Sequence, residues 1–445
     1  MRPTSPPQRP KPPSGALARR TFLRRSGLMA GAAALGPWAL SACTPNGEQS
    51  AIEGTPGEAA NGDAIRIAVV YPLSGDLAAV AQGVADATVM AFEDVNADGG
   101  IESLGGATIE PVLVDIQSDV SVTRTEVERV LARQDIAAVT GCYASTMSLV
   151  ASEVTERAGV PMLTGSISDE LTSRDFEFLF QVSPKGSHFG RAQVEAVHAV
   201  GQDPGPAKER LAILYEETDY GTSTSEGIRE TAEELGLEVV VFESYPQDIS
   251  DPVALITRVE RSGADVLFPV SYLEDAVLII EAMANRGTDA AVFGGGAGYL
   301  VPEFADNLGS LANFTFSVAS WNWDINYPGV EEVNDSYTEE FDEPYLQEHA
   351  GEGYCMGRLL ADALERAGSA EPQDLRDALA ETDIEPPHPA AIMPGGRIQF
   401  DETGWNQHVY PVVIQWQDGL PRTVFPFDEA REDIVWPVPP WDERQ

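Results

Sequence analysis

From Ala64 onward the chain repeats one unit, a short apolar run followed by an amphipathic stretch, and does so in two successive series. In the first, 64–71 (AIRIAVVY), 109–115 (IEPVLVD), 137–141 (AAVTG), 161–165 (PMLTG) and 179–183 (LFQVS) read as strands. The stretches up to Phe92, 121–134 and up to Arg157 read as helices. Apolar strands alternating with helices give a parallel sheet covered on both faces. The series restarts after Lys185, with helices 187–200, 221–235, 251–261 and 274–286 and strands 211–216, 238–245, 265–271 and 290–295. Roughly 380 residues exceed what one core holds. The expected fold class is therefore α/β, with two doubly wound Rossmann-like lobes.

A different pattern closes the chain. Strand 313–320 precedes helices 330–348, 353–367 and 372–380. From Gly396 the runs 397–401, 409–417 and 423–424 read as antiparallel strands with DETG and QDGL turns. Residues 428–445 are Pro-rich and acidic, and read as a loose or surface-wrapped tail.

Ahead of the folded part, Arg19-Arg20 is followed by Phe22-Leu23, a run of small apolar residues and Leu40-Ser41-Ala42-Cys43. This resembles a twin-arginine export signal joined to a bacterial lipoprotein cleavage box. The resemblance implies removal of residues 1–42, acylation of Cys43 and work outside the cytoplasm on a membrane tether. An uncut membrane anchor is the competing reading, but 26–42 is interrupted by Gly and Pro and barely long enough. Residues 44–63 hold no aromatic residue and many Gly, Pro, Ala and acids, the composition of a flexible tether.

Charge narrows the partners. The first 42 residues hold seven of the 28 lysines and arginines and none of the 71 acids, which leaves the rest near −50. Such a chain repels nucleic acid and anionic headgroups, so no nucleic-acid partner is expected. The acids are scattered, as on a solvated surface. The five histidines are dispersed, without H-E-x-x-H or C-x-x-C, so no metal is expected. With Cys43 assigned to lipid, Cys142 and Cys355 remain, and spacing does not decide whether they pair.

In open parallel sheets ligands gather at the carboxyl ends of strands. Those ends carry Tyr71-Pro-Leu-Ser-Gly75, Gly141-Cys-Tyr-Ala-Ser-Thr146, Thr164-Gly-Ser-Ile-Ser168, Glu217-Thr-Asp-Tyr-Gly221, Ser271-Tyr-Leu-Glu274 and Gly294-Gly-Gly-Ala-Gly298. Hydroxyls, rings and helix starts at these places suit a carboxylate or a carbonyl oxygen. The bland alternative is that Ser74 and Gly75 shape a turn and that Ser145, Thr146 and Ser166 cap helices.

The order of lipobox, tether, I-x-I-A-x-x-x-P-L-S-G, A-x-x-T-G-C-Y-x-S, A-G-V-P-M-L-T and Y-G-x-x-x-x-x-G is similar to type I periplasmic binding proteins, in particular the leucine/isoleucine/valine- and amide-binding branch serving ABC importers. It spans about Ile65 to Gln417. The resemblance implies lobes joined by three crossovers: 64–184 plus 320–395 for lobe 1, and 185–319 plus 396–427 for lobe 2. It implies a ligand held by Tyr143, Ser145, Thr146, Gly165 and Ser166 from one side and by Tyr220 and Tyr272 from the other. It implies no catalytic residue and no cofactor, and as partners a small-molecule ligand, a permease and an ATPase, with the chain itself a monomer. Amino-acid-binding members place a Glu where this sequence has Ala297; Asp219 and Glu274 are the nearby acids. This departure shifts weight toward an amide, an organic acid or an aromatic acid. Trp321 and Trp323 either floor the ligand or pack the hinge.

Three other functions compete with solute binding. A dinucleotide enzyme needs G-x-G-x-x-G after the first strand, where YPLSG stands. No G-x-S-x-G or S-x-x-K supports a hydrolase. A sensor for a signalling partner shares the same ligand cleft and is the runner-up.

Overall fold

The computed structural model describes residues 64–444, apart from Gln134, 203–209 and Asp248. The export signal, Cys43 and the tether lie outside the described residues. Everything below belongs to one compact unit, Glu58–Gln445.

The first series folds as β1 (Ile65–Tyr71), α1 (Ala78–Ala97), β2 (Ile109–Asp115), α2 (Val120–Arg133), β3 (Ile136–Gly141), α3 (Ser145–Ala158), β4 (Met162–Thr164) and β5 (Leu179–Gln181). All five strands are parallel, in the order β2-β1-β3-β4-β5. The second gives α4 (Gly186–Gln202), β6 (Arg210–Glu216), α5 (Asp219–Leu235), β7 (Glu238–Tyr245), α6 (Val253–Ser262), β8 (Val266–Val270), α7 (Leu273–Arg286), β9 (Ala291–Gly294), α8 (Pro302–Leu308) and β10 (Phe316–Ala319). Its parallel part runs β7-β6-β8-β9-β10, which repeats the topology of the first sheet. The central strands β3 and β8 are buried along their whole length, as strands covered on both faces must be.

The closing elements are α9 (Val330–Phe341), α10 (Glu348–Ala367), α11 (Pro372–Ala380), β11 (Asp383–Ile384), β12 (Ile398–Gln399), β13 (Val412–Gln417) and β14 (Leu420–Phe425). β13 and β14 extend the second sheet antiparallel beyond β10. The expected helix 330–348 is interrupted: Asp342 turns left-handed at φ 59°, and the following Glu343 precedes Pro344, which disfavours helical backbone. The segment 396–427 does not travel as one piece. β12 pairs with β11, and Trp405 and Asn406 bond to the Ser183, Gln181 and Val182 backbone beside the first sheet. Only β13 and β14 join the second sheet. The tail wraps that sheet: Trp436 lies edge-on to Phe293 and Phe316, and the Gln415 side chain bonds Val435 at both its N–H and its carbonyl.

The chain thus passes between the sheets three times, after β5, after β10 and before β13. At the second passage Trp321 is fully buried, donates to the Ile392 carbonyl at 2.9 Å and lies against Gly351. α10 then packs along α1. A methyl group at Gly353 would lie 2.6 Å from the Val84 carbonyl, so the two helices approach too closely there for any side chain.

Candidate functional site

Strand order reverses between β1 and β3 in one sheet and between β6 and β8 in the other. The loops leaving those strands diverge at each reversal and leave a crevice. Here the two crevices face each other. The loop after β1 is pinned as a turn: Asp115 Oδ1 accepts the Leu73 and Ser74 N–H groups, and its Oδ2 accepts the Ser74 hydroxyl at 2.7 Å. Ser74 is therefore a turn residue, as the bland reading had it.

The loop after β3 is held by serines. Ser148 Oγ accepts the Cys142 N–H at 2.8 Å and lies 2.7 Å from Ser166 Oγ. Ser166 Oγ donates to the Tyr143 carbonyl at 2.8 Å, and Ser145 Oγ accepts the Ser168 N–H at 3.2 Å. These bonds fasten 141–146 to 164–168 and hold Tyr143 at a φ of 82°, with its ring pointing into the crevice. Ser166 thus has its proton committed within the protein.

Opposite stand Tyr220, in the first turn of α5, and Tyr272, just before α7. Thr218 caps α5 through the Gly221 N–H at 3.0 Å. Tyr220 Oη donates to the Gly295 carbonyl at 3.0 Å. The Tyr272 ring lies 5.3 Å from that of Tyr220 and 6.1 Å from that of Tyr143.

Two cavities lie between these walls. The tyrosine cavity, about 20 Å³, has room for about one water. Tyr143, Ser145, Gly165, Ser166, Tyr220 and Tyr272 all line it. Thr146, the seventh expected residue, faces instead a larger acidic cavity of about 380 Å³, whose wall also includes Tyr143 and Tyr272. Of the two acids near Ala297, Glu274 borders the acidic cavity and Asp219 borders neither. Trp321 and Trp323 line neither cavity; Trp323 donates to the Pro421 carbonyl and packs the passage between sheets.

Sequence reading missed His349. It lines the tyrosine cavity with its ring 4.9 Å from that of Tyr143, edge to face. Its Nδ1 lies 2.7 Å from Glu352 Oε2 and its Nε2 3.4 Å from Glu348 Oε2. Both glutamates are buried on α10 and share the Ser320 hydroxyl at the end of β10. Burial alone would lower the His349 pKa, but the two carboxylates outweigh it and hold the imidazolium up to about 9. Burial pushes the Glu348 carboxyl up to about 7, opposed by His349 and aided by Glu352. The signal was present as Glu348-His349-x-x-Glu352, three ionisable groups within one helical turn. Gly165 is explained by the same group: a methyl there would sit 2.3 Å from Glu352 Oε2. Cys142 and Cys355 are both buried and free.

A model of the periplasmic binding protein family matches residues 64–419. The chain belongs to that family. Its role is solute binding, and the family is one of extracytoplasmic binding proteins rather than enzymes. Among similar proteins is the Leu/Ile/Val-binding protein homolog 7 of Brucella suis, 29% identical over 385 residues that cover 84% of this chain and 94% of the relative. Homolog 8 of Brucella abortus is 29% identical over 379 residues, covering 82% and 91%. Among solved structures, a leucine-binding protein from Thermotoga maritima superposes with a TM-score of 0.72 at 22% identity, covering 81% of this chain and 97% of the other. The branched-chain amino acid transporter substrate-binding protein LivJ of Streptococcus pneumoniae, in complex with isoleucine, superposes at 0.70 and 22%, covering 80% and 97%. The shared fold is two lobes. Among the described residues no helix is long and apolar enough to cross a membrane.

Proposed function

We propose that this binding protein is the solute-capturing component of an ABC importer, a monomer exported by the twin-arginine route and tethered through acylated Cys43. A small polar solute enters between the lobes, the lobes hinge closed on it, and the closed form delivers it to a permease driven by an ATPase. The solute is a branched-chain amino acid-like molecule, an amide, or an organic or aromatic acid. One observation carries this reading: the strand-end loops of two separate sheets face each other across the tyrosine cavity, and six of its wall residues are those the family resemblance implies. The relatives named for leucine, isoleucine and valine support the solute class. The tyrosine cavity holds little more than one water, so a solute occupies it only as the walls part. Closure is then driven by the solute's greater affinity for the closed state.

A ligand that binds only the native protein raises its melting temperature by mass action. A thermal-shift screen over amino acids, amides, ureas and aromatic acids is expected to find at least one stabiliser. Replacing both Ser145 and Tyr220 by alanine abolishes that shift and leaves the unliganded protein folded. A screen without any hit, or a shift that survives the double replacement, contradicts the proposal.

A further inference from the structure

Two hydroxyl hydrogens in the wall of the tyrosine cavity already serve bonds within the protein. Ser166 donates to the Tyr143 carbonyl, and Tyr220 donates to the Gly295 carbonyl. His349 differs, because its two ring nitrogens are not used alike. Nδ1 is bonded to Glu352 Oε2 at 2.7 Å, which fixes the orientation of the ring. Nε2 lies 3.4 Å from Glu348 Oε2, beyond the usual range of an N–H···O bond, and that oxygen is itself buried with no hydrogen-bond partner. Nε2 and Glu348 thus attract by charge without sharing a hydrogen bond. Two facing carboxylates keep the ring doubly protonated, so Nε2 carries a hydrogen to give.

Only the imidazole of this cluster reaches open space. The His349 side chain is 17% accessible, against 3% for Glu348 and 1% for Glu352. Of the three, His349 alone stands in the cavity wall. No aspartate or glutamate is among the described residues of that wall, so an ammonium group finds no carboxylate there. One cation facing two acids also leaves no net positive charge behind the wall. A second full negative charge beside Glu348 is therefore repelled, while an uncharged carbonyl oxygen is not.

We infer that His349 is a specificity-determining residue of the solute site, its Nε2–H donating to an uncharged carbonyl oxygen of the solute. This rests on the solute-binding role proposed above and narrows its ligand class. α10 then does more than follow a passage between lobes: it brings the donor to the cavity, and Glu352 aims it.

The test compares isovaleramide, isovalerate and isopentylamine, which share one branched carbon chain, by calorimetry on the purified protein at neutral pH and equal ionic strength. Isovaleramide is expected to bind at least about ten-fold more tightly than isopentylamine, with isovalerate between them. In NMR of the imidazole nitrogens, saturating isovaleramide is expected to shift His349 Nε2 and leave Nδ1 in place. No other histidine is among the described residues lining the cavity, so the wild-type protein suffices for this measurement. His349→Phe keeps a ring without a donor and should weaken isovaleramide at least about ten-fold, whereas His349→Gln keeps an N–H and should stay within about three-fold of wild type. A merely structural role would weaken all three compounds alike and leave Nε2 unmoved. Should neither replacement fold, the nitrogen measurement on the wild type decides.

Isopentylamine binding as tightly as isovaleramide, isovalerate outbinding it, an unmoved Nε2 in the saturated protein, or a folded His349→Phe with unchanged affinity would overturn the inference and leave solute capture standing. If isovaleramide does not bind but the broader screen finds a stabiliser, the nitrogen measurement is made with that compound: a shifted Nε2 supports the inference and an unmoved one overturns it. If no compound of either set binds, solute capture falls as well.

Discussion

The two walls of the cleft are built on the same strand topology and finished with different chemistry. On the first-sheet side, hydroxyls and backbone groups bond mostly to each other: Ser148, Ser166 and Ser145 hold two loops together before any ligand arrives. On the second-sheet side, rings and carboxylates stand toward the gap, and the one firm tie at the tyrosines is Tyr220 to Gly295. The first wall is preorganised at the expense of free donors. The second presents mainly rings, and the Tyr220 hydroxyl is tied back to the Gly295 carbonyl. His349 belongs to neither sheet. It arrives on α10 after the chain has crossed back, and joins the cavity to the crossover through Glu348, Glu352 and Ser320. The repeated topology thus builds the facing crevices, while the crossing segment brings charge to them.

The largest effect is expected at this junction. His349→Gln leaves two buried carboxylates without their cation, and breaking such an arrangement costs about 3–5 kcal/mol. The pH dependence has a definite sign. His349 and Glu348 both titrate above their unfolded values in the native protein, at about 9 and about 7. Their joint contribution is complete at low pH, declines as pH rises through about 7, and is lost through about 9. Wild-type melting temperature should therefore fall first between about pH 4.5 and pH 7 through Glu348 and then between about pH 6.5 and pH 9 through His349, and the part due to His349 should be absent from the variant. Parallel wild-type and variant profiles over that range would show that the ion pair carries no weight.

A smaller effect sharpens the contrast between walls. Ser148→Ala strands the buried Cys142 N–H and frees the loop holding Tyr143, with an expected loss of about 1–3 kcal/mol in chemical denaturation. A change under 0.5 kcal/mol would mean that the serine wall is not preorganised. The mildest replacement is Tyr220→Phe. It removes one hydroxyl bond while the ring stays in place, with a loss of about 1 kcal/mol. If it proved more costly than Ser148→Ala, the serine wall would not be the more firmly held of the two.

Much of the architecture was legible because it is local. Alternating apolar runs and helical periods revealed both series, the rule that ligands lie beyond strand ends singled out the loops, and the family resemblance pointed to Tyr143, Ser145, Tyr220 and Tyr272 within them. Other features resisted for physical reasons. The break at Asp342 is signalled by Pro344, which a single helix over 330–348 leaves out of account. β12 is two residues long, too short for periodicity to say which sheet it joins. His349 looked like one dispersed histidine, since a pKa depends on groups from elements far apart in the chain.

The chain alone therefore determined what a few neighbouring residues can specify: strands, helices, their parallel arrangement and the loops that end them. Only the tertiary structure decided that Thr146 faces a different cavity from Ser145, that buried glutamates hold His349 charged, and that Glu216 and Asp275 border the same space. Cavities and electrostatic fields arise between segments distant in sequence. Their properties follow from juxtaposition, which no local pattern encodes.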